Sequence, residues 1–342
     1  MGFDLGLSSD QEAIRDLFVG FFTREAGPAV VRAAEPLGFD RRLWEKCCEL
    51  GAPGMGVAEV YGGGGASLSD LVVLAESFGA AIAPIPLLDH VVAAQFLPDP
   101  DVVSGAAIAA VALSPTDSEG VWHLVPSGAV ADVVIGIDGD ELVAVRSRAP
   151  GVAPRNHGAQ PIADRSARVG DRKVLGSAGE MSRALDIWRT LTSAALVGIA
   201  DRALAMGVAY VMERSQFGVP IGSFQSVQHG LADLPVLVDG GRMLCHKAAW
   251  AAGLETQGFI DVDANEYTDF SLLASMAFIF TGDAAAAATD RSLHFHGGYG
   301  FAAEYDIQLY YRRARGWRLI AGDPRHEQLE LADRLFGRAQ GN

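Results

Sequence analysis

Apolar residues recur at helical spacing through the first hundred positions. Ile14, Leu17, Phe18, Phe21 and Phe22 fall at i, i+3, i+4, i+7 and i+8, one stripe of a helix. Leu43, Cys47 and Leu50 continue the style. Tyr61 and the four glycines Gly62 to Gly65 interrupt it. Leu68, Leu71, Val72, Ala75 and Phe78 then mark a new helix, for which Ser67 or Ser69 offers an N-cap hydroxyl. The stretch Ala83-Pro84-Ile85-Pro86 opens the next one, since proline is tolerated in a first turn.

The pattern changes near Ala106. Short β-prone runs follow at 108–113, 121–125, 133–137 and 142–145. The last two flank Asp138-Gly139-Asp140-Glu141, a hairpin signal because Asp-Gly suits positive φ. A small antiparallel β unit is predicted. From about Glu180 the helical period returns, over 185–214, 224–254 with a kink at Pro235, 267–295 closed by Gly297-Gly298, and 325–336. Long helices in succession predict a bundle. The order α, β, α divides the chain into an N-terminal helical domain (1–105), a middle β domain (106–178) and a C-terminal helical bundle (179–342). Segregated helices and strands make the class α+β, mostly α, rather than a doubly wound sheet. The glycines at 62–65 lie between predicted helices, which argues against a dinucleotide-binding βαβ turn.

Composition narrows the partners. Lys and Arg total 27 against 42 Asp and Glu, a formal charge of −15. Nucleic acid is an unfavourable partner for such a surface. Arg312, Arg313, Arg315 and Arg318 form a local basic run, read as ion-pairing at a subunit interface. Runs such as 106–113 and 284–288 fall short of the roughly 20 apolar residues a bilayer requires, so no membrane span is expected. The sequence opens without a basic segment leading into an apolar one, so no secretory signal is expected either. Three cysteines, Cys47, Cys48 and Cys245, make a poor disulfide framework and point to a reduced, cytoplasmic protein. No metal site is expected. His294 and His296 are two apart, a spacing that does not share a helix face.

Two segments carry a resemblance. Arg214-Ser-Gln-Phe217-Gly218, continuing through Phe224-Gln225 to Gln228-His229, resembles the RxxFG…FQxxQH signature of acyl-CoA dehydrogenases. His294-Phe-His-Gly297-Gly298-Tyr-Gly-Phe301, followed by Glu304-Tyr305, is similar to that family's QxxGGxGF…EY segment. The resemblance implies helices, a β domain and a four-helix bundle that makes a tetramer interface. It also implies α,β-dehydrogenation of an acyl-CoA with FAD as redox cofactor and a further electron-transfer acceptor. In the family one subunit's β domain holds the flavin ring, while the two signature segments of its neighbour hold the adenosine and pyrophosphate. Carried over residue by residue, the cofactor-binding positions are Arg214, Gln216, Phe217, Gln225, His294, Gly297 and Gly298. Arginine presents a permanent fork of donors to a pyrophosphate, and glycines admit close backbone approach.

Three departures qualify the likeness. The family's catalytic Glu stands either 26 residues before the signature Arg or in a C-terminal loop. Those positions hold Trp188 and Ala321, neither able to accept a proton. The family's glycine-rich flavin loop corresponds to residues 112–120, which lack most of its glycines. His294 replaces the usual Gln. The pattern implies no catalytic residue in this chain, with Asp323 as the alternative base. A chain that keeps the half-site for a neighbour's flavin and loses its own resembles the non-catalytic member of an actinobacterial α₂β₂ dehydrogenase of the steroid-CoA type. Its FAD would then be shared with a homologous catalytic subunit. A self-sufficient enzyme using Asp323 and a purely structural subunit are the alternatives.

Overall fold

The computed structural model describes residues 6–256 and 268–337. Tyr267, at the start of the third predicted C-terminal helix, lies outside them. The chain forms α1 (Ser9–Glu25), α2 (Pro28–Ala33), α3 (Arg41–Glu49), α4 (Leu68–Ala81), α5 (Leu87–Phe96) and α6 (Pro100–Val103). Strands β1 (Ala109–Val111), β2 (Val121–Val125), β3 (Val133–Asp138), β4 (Glu141–Arg146), β5 (Ala163–Ser166) and β6 (Asp171–Ser177) follow. Then come α7 (Met181–Glu213), the short strands β7 (Ser215–Gln216) and β8 (Val219–Pro220), α8 (Gln225–Ala232), α9 (Leu234–Thr256), α10 (Phe270–His296), α11 (Ile307–Leu319) and α12 (Pro324–Phe336). Two compact units result. One comprises Glu25–Leu71 and Ala83–Arg189; the other comprises Met1–Arg24, Val72–Ile82 and Thr190–Asn342.

The first unit is organised around a four-stranded sheet of order β1-β3-β4-β6. The hairpin forms where expected: Asp138 pairs with Glu141 across a two-residue turn, and Gly139 has φ of 63°. The antiparallel expectation fails at one edge, where β1 runs parallel to β3. The reason is burial. Residues 107–112 are buried without alternation, as for a strand covered on both faces, and β2 leaves to pair with β5 in a separate ribbon. Local polar ties hold helices to this sheet. His90 is fully buried; its Nε2 is 2.9 Å from the Val102 carbonyl and its Nδ1 accepts from the Ala109 amide at 3.0 Å. Burial lowers its pKa to about 4, so the ring stays neutral. Trp44 packs edge-on against it and donates to the Gly105 carbonyl at 3.0 Å.

Arg165 pins the turn after β2. The residue is 5% exposed, and its guanidinium donates to the carbonyls of Gly128 (2.7 Å), Ala131 (2.6 Å) and Ser147 (3.0 Å) and to the Ser147 hydroxyl (2.7 Å). A buried cation is tolerable only with its donors satisfied in this way.

The second unit is helical. Ser67 and Asp70 exchange hydrogen bonds as a capping box before α4, which supports the Ser67 alternative. Helices α4 and α7 touch backbone to backbone. A Cβ at Gly79 would fall 1.9 Å from the Ala195 carbonyl oxygen, and one at Gly198 would fall 2.0 Å from that of Glu76. The predicted kink at Pro235 is instead a break. Asp233 ends α8, and the proline sits in the first turn of α9, where its missing N–H costs nothing. The basic run of residues 312–318 lies on α11, and two of its arginines pair within the chain: Arg315 with Asp290 (3.4 Å) and Arg318 with Asp283 (2.5 Å), both on α10. Helices α7 and α10 are long and apolar enough to cross a bilayer by length and composition alone, a property that buried core helices share. More than half of α10's apolar window is buried against other protein.

Candidate functional site

The signature segment leaves α7 and doubles back. Ser215 pairs with Pro220 and Gln216 with Val219, so Phe217 and Gly218 form the tip of a two-residue ribbon. Both tip residues have positive φ, 54° and 83°. Glycine adopts that geometry freely, but a phenylalanine does so under strain. The turn holds the Phe217 ring 93% exposed, with only an edge-to-face neighbour in Phe224 at 6.2 Å.

The second segment reaches the first through an aromatic ring. The Arg214 guanidinium lies 5.8 Å over the ring of Tyr299, inside the Gly-Gly turn that closes α10. Among the described residues no carboxylate pairs with Arg214. Tyr299 in turn sits 5.3 Å from Tyr305. Gly297 has φ of 61°, and a Cβ at Gly297, Gly298 or Gly218 would meet nothing within 4 Å. These glycines therefore leave backbone open to an outside group rather than making room for the chain itself. Gln216 turns back on its neighbour, donating to the Ser215 carbonyl at 2.8 Å. Gln225 begins α8, and His294 lies on the last turn of α10 beside Phe295. The His296 ring stacks on Tyr210 with centroids 4.1 Å apart. Among the described residues no group of three or more His, Cys, Asp or Glu is arranged to hold a metal.

An unpaired arginine, an exposed aromatic face and bare glycine backbone are the donor set a dinucleotide pyrophosphate and adenosine require, so these residues fit the family's flavin. Tyr299 and Phe224 complete the patch. Sequence reasoning passed over them, although both stand inside the quoted motifs.

The two base positions look different. Trp188, on α7, is buried, and its indole N–H donates to Asp89 Oδ1 at 2.9 Å. Asp89 Oδ2 accepts from the Ser127 hydroxyl. Burial pushes the Asp89 carboxyl above the usual carboxylate range, against those two donors. Ala321 lies in the link between α11 and α12. Asp323 caps α12 by accepting from the Arg325 amide at 3.0 Å, and it also pairs with the Arg325 guanidinium at 2.7 Å. Those bonds hold its pKa down to about 2, the wrong direction for a general base.

The segment 112–120 is satisfied by its own neighbours. The Thr116 amide donates to the Ile137 carbonyl, and its hydroxyl donates to Asp138 at 3.0 Å. Asp117 accepts from the amides of Glu119 and Val121, both at 2.9 Å. His123 bridges Asp117 and Asp164 at 3.0 and 3.1 Å.

Comparison with known proteins agrees with the two motifs. Residues 8–97 match the acyl-CoA dehydrogenase N-terminal domain and residues 179–335 the C-terminal domain. The chain is 31% identical to acyl-CoA dehydrogenase IpdE2 of Mycolicibacterium smegmatis, across 96% of this chain and 100% of that protein. IpdE2 of Mycobacterium tuberculosis is 29% identical, across 96% and 98%. Among solved structures, a variant of the steroid ACAD Tcur3481–Tcur3483 superposes with TM-score 0.81 at 26% identity, covering 97% of this chain and 98% of its own. The ChsE4–ChsE5 complex of Mycobacterium tuberculosis superposes at 0.84 with 22% identity, covering 99% and 100%, a likeness of fold. With both domain matches, the helix–sheet–helix order and the two motifs in register, the chain belongs to the acyl-CoA dehydrogenase family.

Proposed function

We propose that this chain is the non-catalytic member of an FAD-dependent acyl-CoA dehydrogenase and completes the flavin site of a homologous catalytic subunit in an α₂β₂ assembly. One observation carries the reading. Among the described residues Arg214 has no carboxylate partner, and it, Phe217, Gly297 and Gly298 are exposed, while both base positions lack a carboxylate. Arg214 would hold pyrophosphate charge, Phe217 an adenosine face, and Gly297 and Gly298 a closely approaching phosphate, with Gln216, Gln225 and His294 at the margin. Bound there, FAD would supply the acceptor for the hydride that leaves the β-carbon of the thioester. Proton removal from the α-carbon would fall to the partner, because a base works only within hydrogen-bond reach of its proton.

The substrate we propose is a steroid side-chain CoA thioester, oxidised in the cytoplasm with a separate electron-transfer acceptor. The structural neighbour named as a steroid ACAD supports that choice by analogy. The self-sufficient alternative rests on Asp323, whose carboxylate is occupied by the α12 cap and by Arg325. The purely structural alternative leaves Arg214, which has no carboxylate partner among the described residues, without a task beyond its contact with Tyr299.

The test is co-purification with homologous dehydrogenases encoded near its gene, followed by assay of Asp323→Asn in the complex. Activity is expected only in the complex, and Asp323→Asn should retain it. Loss of dehydrogenation in Asp323→Asn, with assembly and flavin content intact, would replace this reading with the self-sufficient one.

A further inference from the structure

Three elements meet on one carboxylate in the sheet-containing unit. Asp89 stands in the first turn of α5, Trp188 in the early turns of α7, and Ser127 in the turn after β2. Asp89 and Ser127 are 38 residues apart in sequence, and Asp89 and Trp188 are 99 apart. Both Asp89 oxygens are used, one by the indole N–H and one by the hydroxyl.

Ser127 is itself held firmly. Its φ is 57°, a conformation a serine adopts only under constraint, and its carbonyl accepts from the amides of Val130 and Ala131. Arg165 fixes the same turn through the carbonyls of Gly128 and Ala131. The indole is thus anchored to a carboxyl group that is anchored to a pinned turn. A buried indole N–H needs an acceptor, which a single backbone carbonyl could supply, whereas a carboxyl group at this depth is costly to keep unless it orders something.

Given the partner-subunit reading above, we infer that Trp188, clamped by Asp89 and Ser127, is a plug that closes this chain's own site to the acyl end of a CoA thioester. The family's base position is where a side chain must approach the substrate α-carbon. An indole there occupies more volume than a glutamate and is tethered away from motion. The assembly then takes up thioester only at the site where the partner provides the base.

The test counts thioester sites on the heteromeric complex by calorimetric titration. The ligand is S-octyl-CoA, a thioether that lacks the carbonyl needed for turnover. Trp188→Gly should add one site per heterodimer over the wild-type complex, while Trp188→Phe, which keeps most of the volume, should add none. An assembled Trp188→Gly complex with no added site, or a wild-type complex with two sites per heterodimer, would overturn the plug.

Amide hydrogen exchange on the wild-type complex keeps the idea testable should Trp188→Gly fail to assemble. S-octyl-CoA should leave exchange in residues 87–96 and 181–190 unchanged, and ligand-dependent protection there would contradict the plug. Loss of turnover in Asp89→Asn, with assembly, flavin and site count intact, would recast Asp89 as a base and also overturn it. One flavin per heterodimer with two thioester sites would remove the plug and leave the partner-subunit reading standing. One flavin per chain would remove both.

Discussion

At Arg214 the chain leaves a guanidinium without a carboxylate among the described residues, beside a phenylalanine ring 93% exposed and two glycines with nothing within 4 Å of a Cβ. Twenty-six residues earlier, Trp188 is 3% exposed with its N–H bound, and the carboxylate that binds it has both oxygens engaged. The first region has donors and surface to spare. The second has spent its donors on itself. A protein gains little from a strained Phe217 and an open backbone unless something else covers them. The contrast teaches that the two regions differ in kind, one closed on itself and the other open. The indole N–H of Trp188 and both Asp89 oxygens are engaged, as in a closed region, whereas among the described residues Arg214 has no carboxylate partner, as in a region open to an outside ligand.

The closed region is broken most severely through Arg165. Arg165→Ala would strip four donors from buried acceptors on the turn that carries Ser127. A loss of about 3 kcal/mol of unfolding free energy is expected by chemical denaturation of the complex. A loss below about 1 kcal/mol would mean water replaces the guanidinium.

The open region is broken through Arg214. Arg214→Ala should leave assembly intact and weaken FAD retention by about 2–4 kcal/mol, a loss of a charge-assisted bidentate contact. Equilibrium dialysis at limiting FAD measures it. Unchanged occupancy would assign the arginine elsewhere.

A smaller, pH-dependent effect sharpens the comparison at His123. Hydrogen bonds to Asp164 and then Asp117 raise the imidazole above its usual pKa of about 6.5. A raised folded-state value means the stabilisation is full below about 6.5 and is lost as pH rises through the folded value. The melting temperature of the wild-type complex should therefore slip slightly above neutral pH, and His123→Gln should lack that component. Identical slopes in the two proteins would show that the bridge contributes nothing in solution. The three side chains are largely solvent-accessible, so the effect is small.

Much of the fold was legible locally. The stripe from Ile14 to Phe22, the restart at Leu68 and the Asp138-Gly139 hairpin each follow from spacing or turn chemistry within one element. Helix α11 was not, because four arginines masked an apolar stripe at Ile307, Tyr310, Ala314 and Trp317 that packs inward. The parallel β1–β3 pair was hidden too, since a continuous apolar run does not state which strand it joins. The motifs located Arg214, Phe217, Gly297 and Gly298, yet not the closeness of Arg214 to Tyr299, which depends on two distant segments meeting. Trp188 was visible as the residue at one of the family's base positions. The Asp89–Ser127 clamp was invisible, because no period or turn rule links residues 38 and 99 positions apart.

Flavin stoichiometry tests the central claim most directly. The complex of this chain with its catalytic homologue should carry about one FAD per heterodimer, by absorbance against protein concentration. This chain expressed alone should carry none. A stable yellow homo-oligomer of this chain with one flavin per subunit would contradict the account.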